Sequence, residues 1–146
     1  MTTIFPCTDG DLRECALLLK LVYSEPPYGE NWSPEKAFEY LHKFHCMDSA
    51  GCYVARKDNK IVGVIIGYSF PWCAGVSFFV QELFVDSEFR GKGIGKKLVL
   101  HASGNLDEEP TVLLIARDGS HATNFYKWLG LSKSEHYNFY SGKVRT

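Results

Sequence analysis

The sequence predicts an α/β fold, a mixed sheet flanked by helices, with elements in the order β-α-α-β-β-β-α-β-α-β. Three observations carry that expectation. Segments with apolar residues at helical spacing alternate with short β-rich runs. A polar turn, Lys57-Asp58-Asn59-Lys60, separates two β-rich runs and so reads as an antiparallel hairpin. A long strand ending near Val85 leads through three alternate glycines, Gly91, Gly93 and Gly95, into a basic helical segment. At 146 residues the chain is expected to form one domain, 1–146, long enough to bury a real core.

Taken in order, Thr3 to Phe5 suits a short first strand. Thr8, Asp9 and Asp11 supply a cap and first-turn acids to a helix whose apolar positions are Leu12, Cys15, Leu18, Leu19 and Val22. Glu25-Pro26-Pro27-Tyr28-Gly29 ends it in a loop, and Ser33 with Pro34 and Glu35 starts a second helix over about 34–46. The loop between them holds Glu25, Tyr28, Glu30 and Trp32, a mixture of rings and carboxylates suited to a cationic molecule or, equally, to pinning the loop on the core. The hairpin strands are Cys52 to Arg56 and Ile61 to Ser69, with Gly63 and Gly67 marking a bulge or a close backbone approach. Pro71 to Gly75 breaks the pattern before a strand from about Val76 to Val85.

On that strand the even positions are Val76, Phe78, Val80, Glu82 and Phe84. With unbroken alternation and an inward-facing side, Glu82 sits alone among hydrophobes, where desolvation raises its pKa and makes it a better base near neutral pH. The alternative is a solvated or paired Glu82 at an exposed strand end. After the glycines, Ile94, Leu98 and Ala102 continue a helix to about Ser103. Val112 to Ala116 reads as a strand buried on both faces. A last helix carries Ala122, Phe125, Tyr126 and Leu129 and stops at Gly130, and the tail around Tyr137, Phe139 and Val144 reads as one or two closing strands.

A formal net charge of -1 argues against bulk binding to nucleic acid or to an anionic membrane, so the basic cluster at 90–97 is a local feature. No apolar run approaches the ~20 residues of a membrane span, and no signal-peptide pattern opens the chain, so a cytoplasmic protein is expected. Five cysteines, Cys7, Cys15, Cys46, Cys52 and Cys73, read as reduced thiols. Cys46 and Cys52 with His42 or His45 lack the paired short spacings of zinc motifs, so no metal is expected.

The glycine turn removes side chains where backbone N–H groups at a helix start can close on an anion, and Arg90, Lys92, Lys96 and Lys97 add positive charge. A phosphate-bearing ligand follows. A Walker A loop fails because Arg90 stands at its first glycine position and Lys97 at its Ser/Thr position. A dinucleotide fingerprint fails because the glycines are spaced by two throughout.

The string that fits is Arg90-x-x-Gly93-x-Gly95 directly after a strand reading Glu-Leu-Phe-Val, and it closely resembles the acetyl-coenzyme A signature of the GNAT superfamily of N-acetyltransferases. Asn124-Phe125-Tyr126-Lys127-Trp128-Leu129-Gly130-Leu131 resembles that superfamily's C-terminal helix motif, at the usual separation. One departure is Gly119, where many members carry an Asn that contacts the coenzyme. The 25–32 loop also resembles, more distantly, bacterial members likened to aminoglycoside acetyltransferases.

The resemblance implies a GNAT-like fold and transfer of an acetyl group from acetyl-CoA, as co-substrate, to a primary amine of a small cationic acceptor, by direct attack in a ternary complex. It implies that Arg90, Gly91, Lys92, Gly93, Ile94, Gly95 and Lys96 hold the pyrophosphate, that Leu83, Phe84 and Val85 carry the pantetheine arm, and that Asn124 adds a coenzyme contact. Tyr126 takes the general-acid position, Glu82 is the candidate base, and Gln81, Glu25, Tyr28 and Trp32 are candidate acceptor contacts. The alternatives are an inactive acyl-CoA sensor or partner domain on the same fold, and an unrelated phosphate-binding module. The aromatic tail would suit a homodimer as well as a core.

Overall fold

The computed structural model describes residues 1–120 and 122–145, whose strands form one five-stranded sheet in the order β1-β2-β3-β4-β5. Strand β1 spans Thr3–Pro6, helices α1 and α2 span Leu12–Ser24 and Pro34–Met47, and strands β2, β3 and β4 span Cys52–Lys57, Lys60–Trp72 and Gly75–Val85. Helix α3 is Ile94–Ser103, β5 is Thr111–Leu114 and α4 is Ala122–Trp128. The pairs from β1 to β4 are antiparallel, and β5 joins β4 in parallel after the α3 crossover. The mixed α/β architecture is the one expected, and the element order matches through α4.

The caps work as their chemistry requires. Ser33 Oγ accepts from the Lys36 N–H at 3.1 Å, with Pro34 at the first helical position of α2. A turn of 3-10 helix, Asp9–Asp11, precedes α1, and the Thr8 N–H donates to Asp11 Oδ2 at 2.9 Å. At the far end of α4, Gly130 in a left-handed conformation lets the Leu131 N–H reach Tyr126 O at 3.0 Å and the Gly130 N–H reach Lys127 O at 3.0 Å. That pair of bonds closes the helix and fixes the position of Tyr126.

The sheet is covered on both faces. Leu12, Cys15, Leu19 and Val22 of α1 and Ala37 and Leu41 of α2 pack on Val54, Val64, Ile66 and Phe84. Ile94, Leu98, Val99 and Ala102 of α3 pack on Ala55, Val62, Ile65, Phe78 and Val80. Burying each large side chain contributes ~1.5–3 kcal/mol, so the strands between the layers are the rigid part of the molecule. Gly63 lets α3 lie close on β3: a Cβ there would stand 3.0 Å from Ile94 Cγ2 and 3.2 Å from Leu98 Cδ1.

Four expectations need correction. The alternation along β4 breaks, because Ile66 pairs with Glu82 while Gly67 pairs with Val80, leaving Gln81 as an extra residue. Phe78 and Val80 therefore face α3, whereas Phe84 belongs to the α1/α2 layer, as does Glu82, whose carboxylate meets tyrosines of those two helices. Residues 71–75 hold no extended break: β3 runs to Trp72 and β4 starts at Gly75, with a tight turn between them. Pro71 is tolerated because β2 ends opposite Ile66, so this part of β3 has a free edge.

The run Val112 to Ala116 is not buried on both faces: Leu113 on β5 is 40% exposed, and Ile115, just past the end of the strand, is 59% exposed. Val112 and Leu114 pack against the α3 layer, while Leu113, on the opposite face, belongs to neither buried layer. Finally, the tail forms no strand among the described residues, and Tyr137, Phe139, Tyr140 and Val144 are exposed. The β-rich stretch Tyr137 to Tyr140, bounded by the polar run Ser132-Lys133-Ser134-Glu135-His136 and the Ser141-Gly142 break, pairs with no strand among the described residues, and an unpaired stretch does not hold a strand by itself.

Candidate active site

The bulge at Gln81 and the end of the β4–β5 pairing coincide. The last β5 partner on β4 is Val80, opposite Leu114, so the edge of β4 from Gln81 to Val85 leaves the parallel strand behind. Two cavities open along that edge. One, of about 210 Å³, is lined by residues that include Tyr28, Glu30, Gln81, Glu82, Arg117 and Tyr126. The other, of about 450 Å³, is lined by Leu83, Phe84, Val85 and the turn residues Arg90, Gly91, Gly93, Ile94 and Gly95, with Phe125 and Trp128 opposite. Tyr23, Tyr28, Leu83 and Tyr126 line both, so the cavities meet there.

The turn between β4 and α3 is built for exposed backbone. Asp86 is buried; its N–H donates to Val62 O at 2.8 Å and its Oδ1 accepts from the Glu88 N–H at 3.0 Å, which bends the chain off the sheet. Gly93 caps α3 with φ 80, a conformation open to glycine and strained for other residues. Gly95 has no unusual φ, and its need for hydrogen is spatial: a Cβ would stand 3.0 Å from Phe125 Cζ. The start of α3 and the aromatic pair of α4 are thereby in direct contact.

Glu82 is gripped from two helices. Tyr23 Oη of α1 donates to its Oε1 and Tyr40 Oη of α2 donates to its Oε2, each at 2.7 Å. Burial pushes the Glu82 carboxyl above its ordinary value, the Tyr40 and Tyr23 hydrogen bonds pull it back, and the Glu30 charge adds to the rise. Gln81 Nε2 donates to Tyr40 Oη at 3.0 Å. Tyr126 is pushed up to about 12, by burial first and then by Tyr28 and Glu82, so its hydroxyl keeps its proton throughout the neutral range.

The structure brings most of the expected residues together. Tyr126, Glu82, Gln81 and Tyr28 line the smaller cavity, and Leu83, Phe84, Val85, Arg90, Gly91, Gly93, Ile94 and Gly95 line the larger. Lys92, Lys96 and Asn124 are exposed and line neither; Lys92 Nζ lies 5.3 Å from the Phe89 ring and Lys96 Nζ 4.4 Å from the Trp128 ring. Glu25 closes the loop turn through its carbonyl, which accepts from the Tyr28 N–H at 3.0 Å. Trp32 stands one layer behind the cavity, stacked on Tyr40 at 5.3 Å, with its Nε1 donating to Glu30 Oε1 at 2.7 Å.

Glu30, named with the 25–32 loop, lines the smaller cavity, and Tyr23, Tyr40, Arg117 and Phe125 enter the site without having been singled out as site residues. A signal for the tyrosines existed. Tyr23 follows Leu19 by four and Tyr40 follows Ala37 by three, so each lies on an inward helical stripe where a phenol needs a hydrogen-bond partner. Among the described residues no group of three or more His, Cys, Asp or Glu could hold a metal ion. No described helix is long and apolar enough to cross a membrane.

Comparison with known proteins bears on the fold and the family. The fold is similar to a possible acetyltransferase from Clostridium difficile 630, with TM-score 0.77 at 18% identity over 100% of this chain and 99% of that one. It is similar to the ribosomal-protein-alanine N-acetyltransferase of Brucella melitensis biovar Abortus 2308, with TM-score 0.70 at 20% identity over 99% and 100% of the two chains. An aminoglycoside acetyltransferase from an uncultured soil metagenomic sample, solved with sisomicin, gives TM-score 0.70 at 20% identity over 99% and 97%. A search of curated proteins by sequence finds no match. The acetyltransferase (GNAT) family model matches residues 18–131, from the first helix through the glycine turn to the end of α4. With that match spanning most of its length, the chain belongs to the GNAT family of acetyltransferases.

Proposed function

We propose that this GNAT protein moves an acetyl group from acetyl-CoA to a primary amine of a small cationic acceptor, by direct attack in a ternary complex. The observation that carries the reading is the meeting of the two cavities at Leu83 and Tyr126, with Glu82 on one side and the glycine turn on the other.

The larger cavity fits the coenzyme. Backbone N–H groups from Arg90 to Gly95 and the α3 dipole favour a pyrophosphate at the helix start. The β4 edge from Leu83 to Val85, left by β5, offers backbone groups to an amide-bearing arm. Acetyl-CoA would supply the acetyl group as a thioester. A β4 N–H aimed at the carbonyl oxygen would act as an oxyanion donor, an effect of ~3 kcal/mol.

The acceptor amine, with a lysine-like pKa of ~10, is protonated at neutral pH and must lose a proton before attack. Glu82 receives it, since burial raises the carboxyl toward the working range. Tyr126 holds a proton that it can hand to the departing sulfur. Glu30 and Glu82 beside Tyr28 outnumber Arg117 in the lining of the smaller cavity, so that with both carboxylates ionised it is net acidic and aromatic, the chemistry that favours a cation.

Thermal shift with desulfo-coenzyme A tests the coenzyme cavity, and coenzyme A release in the presence of amines tests transfer. Fold neighbours named for aminoglycosides and for ribosomal-protein alanine put aminoglycosides and peptide N-termini on the acceptor panel beside polyamines. Glu82→Gln should abolish the acid limb of the pH–rate profile; a limb that stays in place rejects Glu82 as the base.

A further inference from the structure

We infer that Tyr23 and Tyr40 are positioning residues: together they hold the Glu82 carboxylate ionised and fixed against the acceptor cavity. The inference rests on the reading of Glu82 as the base. The two phenols reach separate oxygens, Tyr23 to Oε1 and Tyr40 to Oε2, both at 2.7 Å. A carboxylate with one donor can swing about that bond; one gripped at both oxygens from two helices cannot.

The donors are themselves held. The Tyr23 ring stands edge-on to Tyr28 at 4.8 Å and to Phe84 at 6.0 Å. Tyr40 stacks on Trp32 at 5.3 Å and meets Phe44 edge-on at 5.6 Å. Behind Trp32, Lys20 Nζ donates to its carbonyl at 2.6 Å. Gln81 settles the direction of the second bond. Its Nε2 donates to Tyr40 Oη at 3.0 Å, so the phenol accepts from Gln81 and has its single proton left for Glu82. The bulged residue therefore serves the base through Tyr40.

Among the described residues, the ionisable groups around Glu82 are Tyr23 from α1, Tyr28 and Glu30 from the α1–α2 loop, Tyr40 from α2, Arg117 after β5 and Tyr126 from α4. Tyr23 and Tyr40 are hydrogen-bonded to the carboxylate. Burial and Glu30 favour the protonated acid, and the phenols oppose them. A hydrogen bond to the charged form is worth roughly one pH unit or somewhat more. Removing a phenol proton therefore raises the pH at which Glu82 ionises, and the base is lost at pH values where the parent protein has it.

The test uses the whole protein with ¹³C in its glutamate carboxyls, titrated by NMR without substrate, the Glu82 signal being assigned by its loss in Glu82→Gln. Tyr23→Phe and Tyr40→Phe keep the rings and so their packing, which a melting curve checks for each. Each should raise the Glu82 midpoint by about one unit, and the double variant by more. The acid limb of the pH–rate profile should move up with it, while Tyr40→Phe, at a residue that lines neither cavity, leaves acetyl-CoA affinity unchanged. Midpoints that stay in place in both folded variants overturn the inference. If Glu82→Gln leaves the acid limb intact, the base reading falls, and with it this role for the tyrosines, although the midpoints still report whether the grip exists.

Discussion

Replacing Gly95 with alanine separates two effects that usually travel together. Gly95 lies in the first turn of α3, where alanine in place of glycine favours a helix by ~0.5–1 kcal/mol. Against that, the new Cβ would stand 3.0 Å from Phe125 Cζ and 3.5 Å from its two Cε atoms. Ordinary carbon contacts lie near 3.5–4 Å, so the ring must retreat by roughly half an ångström. The helix gain and the contact strain nearly cancel, and the melting temperature should change by no more than a few degrees. Turnover should not escape. Phe125 precedes Tyr126 on α4, and a displacement of about 1 Å in a reacting group costs ~10²-fold, so a smaller shift should cost ~10-fold in kcat. The assay is steady-state turnover at saturating acetyl-CoA, paired with a melting curve. Unchanged kcat in a normally folded Gly95→Ala protein would refute the claim that the glycine turn positions α4.

Gly93→Ala gives the complementary case, since nothing lies within 4 Å of a Cβ there but φ is +80; it should lose ~1–2 kcal/mol of stability by chemical denaturation and weaken acetyl-CoA binding. Tyr126→Phe should lower kcat ~10²-fold or more with acetyl-CoA affinity little changed, as read from steady-state kinetics and a binding titration. Relative to Glu82→Gln, the parent should lose melting temperature as pH rises toward neutral. The sign follows from the raised carboxyl: the fold disfavours its ionised form, a destabilisation fully present above the folded pKa and absent below the unfolded value of ~4.3. The parent's melting temperature relative to Glu82→Gln should therefore rise as pH falls toward 4 in a series of melting curves.

The parts of the fold legible in the sequence were those set by local rules. Ser33-Pro34, the Lys57-Asp58-Asn59-Lys60 turn and Gly130 each work through their own backbone, and each stands where expected. What escaped depended on pairing between distant strands. The extra residue Gln81 becomes visible only when Ile66 and Gly67 are set opposite β4, and it carries Glu82 away from Phe78 and Val80. Burial of Glu82 was foreseen for the wrong neighbours. The hydrophobic face supplies Phe84, but two phenols supply the contacts that matter to a carboxylate. Tyr23 and Tyr40 lie 59 and 42 positions from Glu82, too far for spacing alone to join them. Leu113, Ile115 and the tail show the opposite failure: apolar residues predicted burial, yet Leu113 lies on an edge strand and Ile115 and the described tail residues lie outside the sheet.

The most direct test of acetyl transfer is to incubate the protein with acetyl-CoA and the amine panel, following coenzyme A release and product mass together. The account predicts at least one cationic amine that gains a single acetyl group in step with coenzyme A release, with the reaction strongly reduced by Tyr126→Phe. Tight binding of acetyl-CoA with no acetylated amine across polyamines, aminoglycosides and peptide N-termini would contradict it, and would point to a coenzyme-binding protein without transferase activity.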